Sequence, residues 1–346
     1  MKKLVIALIL VFALPLQVCA TEYIAPVAPD SAQKYMPQET DNFGEGLLFV
    51  LQKAFDYIDP SVSEAIGICV STIAVIVIIS MTENITAAPK QVIELVAALS
   101  VSIILLRTAN SLITLGMQTV TELNDYGKLL IPVMTAALAA QGGFTSSAAL
   151  YSGTAFFASL LTTVITKLML PMVYIYLSLS IAGCALQQDT IAQMKAFVKW
   201  LMTWCLKIIL YTFTGYMTIT GVITGTTDAS ALKATKIAIS GFVPVIGNIL
   251  SDASETVLVS AGLMKNAAGI YGVLAAISIC IGPFLRIGIQ YLMLKLSASI
   301  CGIFGSKKPI ALVSDFASAM GFMLAMTGTL CILLLVSTVC FMKGVS

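Results

Sequence analysis

The sequence predicts an all-α, polytopic membrane bundle, and three observations predict it. Of 346 residues, 58% are apolar and only 10% charged, whereas a soluble domain carries about 25% charged residues to cover its surface. Several uncharged runs reach the roughly 20 residues that a helix needs to cross hydrocarbon. Histidine is absent, which removes Ser-His-Asp and Cys-His catalysis and the commonest transition-metal ligand. With a net charge of +2 and basic residues that never gather into a run, nucleic acid is not an expected partner. Membrane lipid is.

Residues 1–20 read as a secretory signal peptide. Lys2 and Lys3 precede the apolar stretch Leu4 to Leu16, and Val18-Cys19-Ala20 offers small or modest side chains for cleavage after Ala20. Residues 21–61 form an acidic segment in which Glu22, Asp30, Glu39, Asp41, Glu45, Asp56 and Asp59 outnumber Lys34 and Lys53. An acidic, proline-bearing start after a signal peptide belongs on the extracytoplasmic side, and its first part is expected to be disordered. Leu47, Val50, Leu51, Ala54, Phe55 and Ile58 then recur at helical spacing. They suggest one amphipathic helix, lying at the interface or against a partner, with a linker turn packed on the bundle top as the alternative.

Residues 62–346 are the multi-pass domain. Ala65 to Thr82 is uncharged; Leu95 to Thr121 is interrupted only by Arg107; Leu129 to Thr166 breaks near Gln141-Gly142-Gly143. Leu168 to Gln188, Ile208 to Thr227, Asn266 to Leu285 and Phe316 to Met342 are each long enough to span, and Ile287 to Ser306 is interrupted by Lys295. Across 237–262, Gly241, Pro244, Gly247, Asn248, Asp252 and Glu255 punctuate an apolar stretch, the pattern of a broken or re-entrant segment. Seven to nine crossings are expected. If the broken region counts as a span, the bias of lysines toward the cytoplasm places Lys90, Lys195, Lys199, Lys307 and Lys308 inside. The cysteines of the spans show no metal spacing and read as small hydrophobes, so neither a metal nor a cofactor is expected.

Charged groups within spans are functional candidates because inserting each costs a few kcal/mol. Thr203, Lys207, Tyr211, Thr214, Thr218, Gly221 and Gly225 fall within about 80° of helical arc. This face either lines an aqueous path or packs closely, its threonines bonding across helices. Arg286, Gln290 and Ser297 form a second stripe, with Lys295 on the opposite face. Arg286 follows Pro283 and could bind carbonyls freed by a kink or snorkel to headgroups. Asp252 and Glu255 have capping-box spacing, or form a cation or proton site, or pair with Lys265. Asp315, before Phe316, reads as an N-cap.

From Ile239 onward the chain resembles the stage III sporulation protein AE family. The resemblance is carried by Asp252-Ala253-Ser254-Glu255-Thr256-Val257, then Ala261-Gly262-Leu263-Met264-Lys265-Asn266 with Gly269 and Gly272. Cys280-Ile281-Gly282-Pro283, Tyr291, Lys295, and Asp315-Phe316-Ala317-Ser318-Ala319-Met320 leading to Leu324-Ala325-Met326 complete it. What this implies is a non-enzymatic platform or channel subunit of the transenvelope complex joining mother cell and forespore, located in the mother-cell membrane. Its implied partners are a separate ATPase, ring-forming proteins and small membrane proteins, with further copies of the chain as another candidate. The chain has no Gly-x-x-x-x-Gly-Lys-Ser/Thr loop, so hydrolysis would fall to another subunit. A self-contained secondary transporter with a midplane polar site is the alternative; it predicts an internal repeat, which the flanks of Gly142 and Gly247 do not supply.

Overall fold

The computed structural model describes residues 26–37, 43–85, 89–186, 189–242, 247–304 and 307–343, with backbone alone over 83–85, 90–91, 189, 221–265 and 304. All regular elements among them are helical. In chain order they are α1 (Asp30–Gln33), α2 (Phe43–Asp56), α3 (Asp59–Ile85), α4 (Lys90–Ala140), α5 (Phe144–Val164), a π turn (Ile165–Met169), α6 (Leu170–Leu186), α7 (Asp189–Phe242), α8 (Gly247–Phe304) and α9 (Lys307–Lys343). Six stretches among the described residues are long and apolar enough to cross a membrane: Asp59–Thr82, Val92–Ala140, Phe144–Leu186, Thr190–Thr220, Asn266–Ile303 and Lys307–Lys343. Residues 1–20, read above as a signal peptide, lie outside the described residues.

Helix boundaries follow local chemistry more than charge. Pro60 sits at the start of α3, and Pro89 precedes α4, where a missing N–H costs nothing. Helix α4 ends at the expected place. Gly142 adopts φ 89°, its N–H donates to Ala139 O at 2.8 Å, and the Gly143 N–H reaches Leu138 O at 3.2 Å. Only glycine enters this left-handed region without a Cβ penalty, so the chain reverses there into α5.

Elsewhere the runs that charges separate are continuous helix. Glu122, Asp125 and Lys128 fall inside α4, whose 51 residues extend about 75 Å at ~1.5 Å per residue. The runs on either side of Lys167 are likewise joined, through the π turn. Over 237–262, residues up to Phe242 close α7 and those from Gly247 open α8; the link itself lies outside the described residues.

Helix α9 is central, packed on α8 and α4 and touching α5, α6 and α7. Val313, Phe316, Met320, Met323, Met326 and Leu330 are buried there against α4 residues such as Leu123 and Leu130. Contacts from Lys308 to Glu94 and from Lys195 to Asp315 gather the starts of α4, α7 and α9 at one end.

The acidic N-terminal segment docks on the bundle. Val50 and Ala54 of α2, together with Tyr35, form a small core with Leu274 of α8, and the Tyr35 ring lies against Gly282. The segment is helical, and it packs on the bundle as the alternative linker turn would have done. Replacing Val50 by aspartate would place an unpaired carboxylate in that core. We expect protease cleavage at Lys34 or Lys53 to rise at least about tenfold as the segment is released, with the bundle still folded.

Candidate functional site

A polar cluster forms where α4, α6, α7 and α9 meet. Lys195 Nζ lies 2.5 Å from Asp315 Oδ2, and the Tyr176 hydroxyl donates to Asp315 Oδ1 at 3.0 Å. Lys308 Nζ lies 2.8 Å from Glu94 Oε2. Lys195, Asp315 and Lys308 border a cavity of about 310 Å³, which Ser180 and Cys184 also line. The Asp315 and Glu94 side chains are each 15% exposed, so both carboxylates are largely removed from solvent and depend on these partners.

One turn further along, α7, α8 and α9 border a second, open cavity of about 430 Å³, lined by Lys199, Thr203, Lys207, Tyr291, Lys295 and Ser318 among others. Lys295 Nζ donates to Ser314 Oγ at 3.1 Å. Among the described residues no carboxylate pairs with Lys199, Lys207 or Lys295. Lys199 and Lys207, eight residues apart on α7, and Lys295 of α8 therefore converge on one space.

The structure thus brings together Thr203, Lys207 and Lys295. It leaves Tyr211, Thr214 and Thr218 exposed, continuing along α7 from the cavity. The face of α7 that packs is the apolar one, with Met202, Leu206, Ile209, Phe213 and Met217 buried. The threonines do not bond across helices. Thr203, Thr214 and Thr218 each donate to the carbonyl four residues earlier at 2.8 Å, which satisfies the hydroxyl within the helix. Close packing through this stretch of the polar face is therefore not what the structure shows; Gly221 and Gly225 lie outside the described side chains.

Two capping expectations are corrected. Helix α9 begins at Lys307, so Asp315 lies in its third turn and serves as the anion for Lys195 and Tyr176. Helix α8 begins at Gly247, so Asp252 is inside it and not at an N-cap. The side chains of Asp252, Glu255 and Lys265 lie outside the described residues. Arg286 pairs with α3 and not with freed carbonyls: its Nη2 lies 2.9 Å from Glu64 Oε2. Gln290 is 4% exposed and its Nε2 has no hydrogen-bond partner among the described residues. Ser297 donates to Met293 O at 2.8 Å and lies 2.8 Å from Cys69 Sγ. Asn266 is exposed.

Sequence reasoning missed Glu94 and Tyr176 as site residues and used Lys195 and Lys308 only to orient the chain. The available signal was that each of these charges borders an apolar run, and opposite charges in such positions seek each other.

The family model for stage III sporulation protein AE matches residues 35–344, which extends the likeness well upstream of Ile239. Stage III sporulation protein AE of Bacillus subtilis (strain 168) is 28% identical over 200 residues, covering 57% of this chain and 50% of that protein. The aligned region therefore spans about half the length of the curated relative. No solved structure matches. A helical membrane bundle without strands among its described residues, matched by one family model over nearly its whole length, belongs to the stage III sporulation protein AE family.

Proposed function

We propose that this protein is a non-enzymatic membrane platform or channel subunit of the transenvelope complex joining mother cell and forespore, seated in the mother-cell membrane. The observation that carries the reading is the face of α7. Lys207, Tyr211, Thr214 and Thr218 are exposed in the single chain, on a helix long and apolar enough to span. A polar stripe left facing hydrocarbon is costly; it is relieved when the stripe faces water or another subunit. The end that gathers the starts of α4, α7 and α9 also carries Lys90, Lys195, Lys199, Lys307 and Lys308. The lysine bias makes it the cytoplasmic end, where an ATPase would meet the platform.

The test is purification of the full chain from sporulating cells in mild detergent, with identification of the chains that accompany it. The expected result is an ATPase and ring-forming proteins in the wild-type eluate, and their loss from a Tyr211→Ala/Thr214→Val variant while that variant remains in the membrane. A protein that elutes alone and moves a labelled solute into liposomes would contradict the proposal.

A further inference from the structure

The two cavities beside α7 differ in one respect. In the first, the protein supplies the anions: Asp315 meets Lys195 and Glu94 meets Lys308. In the second, Lys199, Lys207 and Lys295 line the space, and no carboxylate among the described residues meets any of them. We infer that this second cavity binds the phosphate-bearing headgroup of an anionic phospholipid.

The donors left available there are cationic, because the hydroxyl donors are already used within their helices. The Thr203, Ser318 and Thr329 hydroxyls donate to carbonyls of their own helices. The Lys199 and Lys207 ammonium groups have no protein partner among the described residues, Lys295 uses one N–H on Ser314, and the Tyr291 hydroxyl has none. Charge-assisted N–H donors without acceptors are a receptor for an oxyanion.

Size separates a headgroup from a lone carboxylate. The cavity measures about 430 Å³, within the ~300–1,000 Å³ range of sites that hold a whole small molecule. Lys199 and Lys207 are eight residues apart, so their Cα atoms stand about 12 Å apart along the axis. A single carboxylate from a neighbouring helix would satisfy one of them, whereas a glycerophosphate, or the two phosphates of a diphosphatidyl headgroup, can be shared.

The walls divide as a lipid does. Beside the lysines the lining turns apolar at Leu206, Leu210, Phe322 and Ala325, suited to the first carbons of an acyl chain. On the outward side of the same turns of α7, Trp200 and Trp204 are about half exposed, side chains that favour the headgroup level. Basic pockets between membrane helices are the expected place for anionic headgroups.

The test uses the full chain, purified in mild detergent and exchanged into phosphatidylcholine nanodiscs with or without 10% cardiolipin or phosphatidylglycerol. Retained lipid is read by native mass spectrometry after release, and the melting temperature is followed in parallel. The wild type should retain an anionic lipid and melt higher when it is supplied. Lys207→Gln/Lys295→Gln should retain it about 30-fold less, the factor expected when two lysines no longer attract the headgroup, and should lose the shift. Its melting temperature in phosphatidylcholine alone should match the wild type, which shows that it folds; Lys167→Gln, outside the cavity, should behave as wild type. Should the double variant fail to fold, Lys207→Gln alone carries the test, with a smaller loss. Equal lipid retention by wild type and variant overturns the proposal. So does full displacement of the lipid by inorganic phosphate at equal phosphate concentration, which would make the cavity a site for a free anion. Retention of anionic lipid only when partner chains are absent would assign the lysines to a partner's carboxylate and overturn it as well.

Discussion

The Asp315→Ala variant is expected to lose about 3 kcal/mol of stability, the scale on which removing one partner of a buried ion pair acts. The carboxylate holds two groups at once, the Lys195 ammonium on α7 and the Tyr176 hydroxyl on α6. Its removal leaves an ammonium that is only 27% exposed facing an apolar cavity wall, and it unties α7 from the central helix. Removing both charges is a different experiment. Lys195→Met/Asp315→Leu fills the same space with apolar groups and should recover most of the loss, because a desolvated pair contributes little net stability while an orphaned charge costs much. Thermal unfolding in nanodiscs of the two single variants and the double variant, read as a double-mutant cycle, checks this. A single variant that unfolds with the wild type would mean that the pair does not hold α7 to α9.

A second large effect is expected where α5 meets α7. Gly153 lies directly against the ring of Tyr216, closer than any Cβ could stand. That ring is fixed on two sides: its hydroxyl donates to Ala149 O at 3.1 Å, and its face lies 5.8 Å from the Phe157 ring centroid. Gly153→Ala therefore forces the ring out of its place. Overpacking of this kind costs about 1–3 kcal/mol, and the contact between α5 and α7 should open with it. Trimming the ring should relieve the clash, so Gly153→Ala/Tyr216→Ala is expected to unfold no earlier than Tyr216→Ala alone. An additive outcome, with the double variant worse than both singles, would show that the glycine matters for some reason other than the ring.

Much of the architecture could be read from residues alone, because hydropathy sets what a membrane helix must be. The turn at Gln141-Gly142-Gly143 was visible because glycine punctuates a helix through its own backbone freedom. The sequence also marked Lys207 and Lys295, since an ammonium in an apolar run stands out wherever it points. Other features were hidden for physical reasons. Glu122, Asp125, Lys128 and Lys167 end apolar runs without ending helices, since a charged side chain, unlike proline, leaves the backbone ladder intact. Their positions mark changes of surroundings, not of conformation. Asp315 looked like a cap because an acid before an apolar run has two meanings: the start of a helix, or a partner for a cation on another helix. Only the neighbour that arrives from 120 residues away decides between them. The docking of α2 on α8 depended in the same way on Leu274, which nothing near Val50 announces.

The central claim is that the polar face of α7 meets water or another subunit while its outer face meets lipid. Single cysteines placed in turn at Tyr211, Thr214 and Thr218, and at Trp204, Ile208 and Ile219, in a background whose native cysteines are replaced by serine and in native membranes, test it with a water-soluble maleimide. The account predicts labelling at the first three positions and little at the last three, from a protein that alkaline carbonate does not extract. Labelling at Ile208 and Ile219 with silence at Thr214 and Thr218, or release of the protein by carbonate, would contradict it.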